Sequence, residues 1–134
     1  MSGSPGLRLP AGNGDWMTGA RIEILTAETF DTAVSDGAVL VEFSARWCMP
    51  CRMLEPVMHQ LAQSFAGRLR VMSVDTDKQP ALAERFEVRT VPTMLLMRDG
   101  QVVRRFSGLM SFERLARAID ENAPRRDAAS GTGP

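Results

Sequence analysis

The run Ala38-Val39-Leu40-Val41-Glu42-Phe43-Ser44 limits what this chain can fold into more than any other stretch. It is nearly all apolar and shows no two-residue alternation, the pattern of a strand buried on both faces of a sheet. Such a strand needs cover on each side, and the neighbouring segments read as that cover. Arg21–Leu25 is expected to be a short strand. Thr26 can cap a helix carrying Phe30, Ala33 and Val34 at helical spacing. A long helix follows the next loop, with Leu54, Met58, Leu61, Ala62 and Phe65 along one side and Pro56 inside it, where a kink is expected. Arg70–Asp75 reads as a strand, and Pro80–Phe86 as a short helix with proline in its first turn. Thr93–Arg98 and Gln101–Ser107 are strands joined at Asp99-Gly100, a hairpin signal. Ser111 caps a last helix with Phe112, Leu115, Ala116 and Ile119 on one face. The order β-α-β-α-β-α-β-β-α predicts an α/β fold, a mixed sheet with helices on both faces.

These elements occupy residues 21–122, about the size of a domain with one core. Residues 1–20 carry five Gly, two Pro and no apolar periodicity, and 123–134 are similarly loose, so both are expected to be disordered tails. Sixteen Lys plus Arg balance sixteen Asp plus Glu, a poor basis for general nucleic-acid binding, which needs a basic surface. The longest apolar stretches run about four to six residues, against the ~20 that a membrane-spanning helix needs. Met1–Gly19 lacks the apolar core of a secretory signal, so the expected location is cytoplasmic.

The chain has two cysteines, Cys48 and Cys51, within Cys48-Met49-Pro50-Cys51. They fall where the central strand has ended and the long helix begins. A thiol at a helix N-terminus faces unpaired N–H groups and the positive end of the helix dipole, which stabilise its thiolate. The thiolate is the form that attacks disulfides. Cys48 is expected to be the exposed attacker and Cys51, one turn inside, the resolving thiol. Pro50 brings a preset φ and needs no N–H partner in the first turn. A pair of inert buried cysteines is one alternative; half a zinc site is another. Zinc takes four ligands, and the chain offers no third Cys and one His. That residue, His59, lies eight positions beyond Cys51, about 12 Å along the helix at 1.5 Å per residue. No metal is therefore expected, and His59 is expected to sit solvated on its helix.

With these residues in view the chain strongly resembles the thioredoxin family. The resemblance covers essentially all of residues 21–122. It rests on the segment from Val39 through Trp47-Cys48-Met49-Pro50-Cys51-Arg52, on Pro56, on Val91-Pro92-Thr93 and on Gly108. It implies the thioredoxin fold, with a sheet of four to five strands and four helices, Cys48 as nucleophile, Cys51 as resolving thiol and Pro92 in the cis form beside them. It also implies no bound cofactor: the redox-active Cys48–Cys51 disulfide would be recharged by thioredoxin reductase, an NADPH-dependent flavin enzyme. Four positions depart from the usual pattern. Met49 stands for a Gly, Glu42 for a buried Asp, Ser44 for a Trp, and Ser73 for a Lys often paired with the acid.

Glu42 stands out without the family as well. It shares a strand face with Leu40 in an apolar run, where an unpaired carboxylate is costly and its pKa should rise. A raised carboxyl suits a proton acceptor for Cys51; the alternative is a solvated carboxylate at a local bulge. Trp47, Met49, Val91, Pro92, Gly108 and Leu109 are expected to rim an apolar recognition surface, with the Val91 backbone pairing to an extended substrate peptide. Ordinary packing is the alternative for Trp47 and Met49.

Three functions compete. The first is an enzyme, a protein-disulfide reductase working by dithiol–disulfide exchange on protein substrates, as a monomer. The second is a disulfide oxidase or isomerase running the same chemistry in reverse, against which the lack of a signal sequence argues. The third is a non-catalytic thioredoxin-fold binding module, which loss of either cysteine would have marked.

Overall fold

Nine elements alternate along the chain in the computed structural model, which describes residues 22–122. They are β1 (Glu23–Ile24), α1 (Phe30–Ala33), β2 (Ala38–Ser44), α2 (Met49–Ser64), β3 (Arg70–Asp75), α3 (Pro80–Arg85), β4 (Thr93–Arg98), β5 (Gln101–Ser107) and α4 (Phe112–Asn122). Both expected tails lie outside the described residues, as does Arg21. β1 is shorter than the expected Arg21–Leu25: Leu25 is no longer in the strand, although its N–H still donates to the Ser73 carbonyl at 2.8 Å. Thr26 does not cap α1 directly. Its N–H and hydroxyl pair reciprocally with Thr29 at 2.9 and 3.3 Å, a turn that takes up the first residues, so the helix proper begins at Phe30.

The strand order is β1-β3-β2-β4-β5. β2 runs parallel to β3 and antiparallel to β4, so it is central and buried along its length, as its composition requires. Its alternate side chains feed two cores. Leu40 faces Leu54, Met58 and Leu61 of α2 and Leu115 and Ile119 of α4. Val39, Val41 and Phe43 face Phe30 of α1 and Leu82 of α3. Each fully buried side chain of this size stabilises the fold by about 1.5–3 kcal/mol relative to leaving it in water, so both faces need their helices. α2 runs unbroken from Met49 to Ser64 with Pro56 inside it. Ser111 Oγ accepts the Arg114 N–H at 3.1 Å and caps α4.

β4 and β5 form the expected hairpin. Asp99 and Gly100 both have positive φ, 51° and 84°, the requirement of a type I′ turn. Asp99 also ties this turn to the start of β2, accepting the Gly37 N–H at 2.8 Å and donating its own N–H back at 2.9 Å. Among the described residues no helix is long and apolar enough to cross a membrane. Because β2 runs parallel to β3 and antiparallel to β4, the loop leaving its C-terminal end lies beside the C-terminal end of β3 and the start of β4. In open α/β sheets that is where ligand sites form.

Candidate active site

β2 ends at Ser44 and the chain turns once, with the Cys48 N–H bonded to the Ala45 carbonyl at 3.1 Å, before α2 starts. Cys48 therefore stands just ahead of the helix. Its backbone is extended (φ −89°, ψ 113°), and its Sγ accepts the Cys51 N–H at 3.1 Å. A Ser, Thr or Asp oxygen ordinarily caps a helix from this position; here a sulfur does. The same N–H groups and helix dipole that favour an anion stabilise a thiolate on Cys48. The extended backbone also explains how residues three apart are joined. Two helical residues at this spacing hold their Cβ atoms roughly 5–6 Å apart, beyond disulfide reach. With Cys48 outside the helix the pair is bonded, its Cα atoms 5.3 Å apart, within the roughly 4.4–6.8 Å a disulfide spans.

One expectation needs correction. Cys48 is not the exposed member of the pair: each cysteine is 3% exposed, packed with Ala45 and against Val91. Cys48 packs against the loop before β4, and its Sγ lies 3.6 Å from the Val91 carbonyl oxygen. Surroundings separate the two sulfurs where exposure does not. Cys48 faces the Val91 carbonyl and the cis Val91–Pro92 bond. Cys51 faces inward, onto a cleft of about 560 Å³ that it lines together with Glu42.

Glu42 points to the α2 side of the sheet, opposite Ser73 on β3 and Met94 on β4 in an unbroken register. It is 5% exposed, and its Oε2 has no hydrogen-bond partner. The solvated carboxylate at a bulge is thus not what the fold contains. Burial pushes the carboxyl up to about 7, and the Glu55 charge acts in the same direction. Ser44 and Ser73, short where the resemblance leads one to expect Trp and Lys, are part of the cleft wall, and neither brings a cation to Glu42.

A family model described as Thioredoxin matches residues 21–121. Thioredoxins of Staphylococcus aureus, that of strain COL among them, are 37% identical to the chain over 98 residues, which covers 73% of this chain and 94% of theirs. The chain belongs to the thioredoxin family. As a member of that family it is a protein-disulfide reductase that works by dithiol–disulfide exchange through its Cys48-x-x-Cys51 pair. The five-stranded mixed sheet and four helices are the thioredoxin fold. Thioredoxins carry no bound cofactor; the cysteine pair is the redox group. Among the described residues no group of three or more His, Cys, Asp or Glu is arranged to hold a metal.

Around the thioredoxin pair, Trp47, Met49 and Leu109 are 70%, 61% and 49% exposed. The Trp47 indole is held by its Nε1–H donating to Asp77 at 2.9 Å. Val91 and Gly108 are half-buried. Pro92 departs from the rim: it is buried where the start of β4 meets the end of β5, with its carbonyl accepting the Gly108 N–H at 2.9 Å. Pro50 is exposed in the first turn of α2. Two features escaped sequence reasoning. Met53, four residues after Met49 and 57% exposed, extends the apolar strip along α2; the i, i+4 spacing was the available signal. His59 is half-buried and lines the Glu42 cleft instead of standing in solvent. Nothing local marks it, since the opposite wall of the cleft comes from β1 and β3.

Proposed function

We propose that Cys48 is the nucleophile, Cys51 the resolving thiol and Glu42 the proton acceptor of this reductase, that its substrates are disulfide-containing proteins of the cytoplasm, and that thioredoxin reductase, using NADPH through a flavin, restores the dithiol. The observation that carries the assignment is the Cys48 sulfur seated at the N-terminus of α2, accepting the Cys51 N–H at 3.1 Å. Of the two sulfurs it is the one whose anion the helix stabilises.

Cys48 thiolate attacks one sulfur of the substrate disulfide; that S–S bond breaks and the first substrate thiolate leaves. Cys51 then gives its proton to Glu42 and attacks the Cys48 sulfur, and the second substrate thiolate departs as the Cys48–Cys51 disulfide forms. The substrate gains two electrons and the dithiol loses them. Pro50 supports the first turn, where its missing N–H leaves no gap. Pro92 holds the loop from which the Val91 backbone meets an extended substrate segment, and Trp47, Met49, Val91, Gly108 and Leu109 supply apolar contact. A reducing compartment suits the direction of the reaction.

Trapping tests the roles. Cys51→Ser is expected to accumulate a mixed disulfide between Cys48 and substrate, read by mass spectrometry, while Cys48→Ser shows no turnover in insulin reduction with NADPH and reductase. A partner trapped on Cys51 in the Cys48→Ser protein, and none on Cys48 in the reciprocal variant, reverses the assignment. A reduction potential of about −270 mV fits a reductase, and one near about −120 mV an oxidase.

A further inference from the structure

Cys51, Glu55 and His59 stand four residues apart along α2. Each is about 6 Å from the next along the helix axis at 1.5 Å per residue, and all three line the cleft whose inner wall holds Glu42. Glu42 Oε2 is buried with no hydrogen-bond partner. A proton delivered to it therefore has no bonded protein group to pass to, and its way out is the cleft, whose volume of about 560 Å³ admits water.

The charged and titratable groups on that cleft are Cys51, Arg52, Glu55 and His59 from α2, Arg46 from the loop before it, and Asp75 from β3. Arginine keeps its proton throughout the physiological range. Imidazole is the side chain that ordinarily both takes and gives a proton near neutrality. His59 is half-buried, so it borders both the cleft and bulk water.

We propose that His59 is a proton-relay residue, taking from the cleft the proton that Glu42 has received from Cys51 and releasing it to solvent, so that Glu42 is ready for the next turnover. The inference rests on the reading of Glu42 as proton acceptor. In the step, the Cys51 S–H bond breaks and its proton moves to Glu42. The Cys51 electron pair forms the bond to Cys48 Sγ, and the substrate thiolate leaves with the pair from the broken S–S bond. The proton crosses the cleft through water to the His59 imidazole, and the imidazolium yields it to bulk solvent. No further oxidant or reductant enters.

The test uses the full-length reduced protein and Ellman's reagent, an aromatic disulfide. Cys48 attack releases the first coloured thiolate, and Cys51 attack on the resulting mixed disulfide releases the second, so the second phase in stopped flow is the resolving step. In dilute phosphate at neutral pH, with NADPH and thioredoxin reductase present to restore the dithiol after each cycle, His59→Ala and His59→Gln are both expected to slow repeated turnover about three- to ten-fold, within the range for loss of a proton-transfer group. The slowing should shrink as imidazole is added, while the wild type stays insensitive to it. A merely structural role would not respond to added imidazole. The Glu42→Gln arm separates the two readings. If Glu42→Gln leaves the second phase unchanged, the acceptor assignment fails and the relay with it. If Glu42→Gln slows that phase but both His59 variants turn over like the wild type, or are slowed without imidazole rescue, the relay alone is overturned.

Discussion

Glu42 is the residue at which the balance between stability and chemistry is sharpest. Its carboxyl is held up to about 7 by burial first and by the Glu55 charge second, from 4.5 in a solvated chain. The folded protein therefore keeps a proton that the unfolded chain gives up. Below about pH 4.5 both states are protonated and the residue is neutral in the balance; between about 4.5 and 7 the unfolded state is increasingly favoured, and above about 7 the penalty is constant. The shift corresponds to a penalty of about 3 kcal/mol at most. Glu42→Gln removes it while keeping the side chain's shape. In the oxidised protein, denaturant unfolding is expected to find the variant more stable than the wild type at pH 7 and equal to it near pH 4. A variant less stable at pH 7 would show that the carboxylate is paired in solution. In the reduced protein the same substitution is expected to slow the resolving step about ten-fold or more, as loss of a general base does. Equal rates would leave Glu42 a structural residue.

At the scale of elements, the site is held by what happens at two ends. The end of β2 leads through one turn into α2, and the extended backbone at Cys48 is what allows a sulfur both to cap the helix and to bond Cys51. The other end is the hairpin between β4 and β5. β4 is the strand that follows Val91-Pro92, so its register against β2 sets the height of the Val91 carbonyl beside Cys48. The turn that ends β4 pairs it with β5 and is bonded to the start of β2 through Asp99 and Gly37; it depends on Gly100 at φ 84°. A Cβ there would meet nothing within 4 Å, so Gly100→Ala isolates the backbone penalty. It is expected to destabilise by about 1 kcal/mol, seen as a lower melting temperature. Insulin reduction should continue at temperatures where the variant stays folded. No change in melting temperature would mean the turn relaxes to another type.

Across the whole molecule, both cores lie between Leu25 and Ile119. We propose that residues 21–122 form a self-sufficient domain. A chain trimmed to those residues is expected to melt within about 3 °C of the full chain, less than the shift that 1 kcal/mol produces in a domain of this size, and to reduce insulin at an equal rate. A larger fall would show that residues 1–20 or 123–134 contribute to stability.

Much of this protein was legible before any coordinates. The apolar run Ala38–Ser44, the period of Leu54, Met58 and Leu61, and the Asp99-Gly100 turn are local patterns, and local patterns report secondary structure because each residue's preference acts over a few neighbours. Trp47-Cys48-Met49-Pro50-Cys51 carried the family, and the two-residue strand period put Glu42 on the face of Leu40. Tertiary structure decided the rest. Strand order brought β1 and β3 to the flank of α2, which made a cleft of what the helix alone would leave in solvent, and moved His59 from surface to cleft wall. It covered Cys48 with the loop before β4 and buried Pro92 at the start of that strand. Burial is a property of what packs across from a residue. Those partners, such as Val91 for Cys48 or β3 for His59, are distant in sequence and meet only once the sheet is assembled.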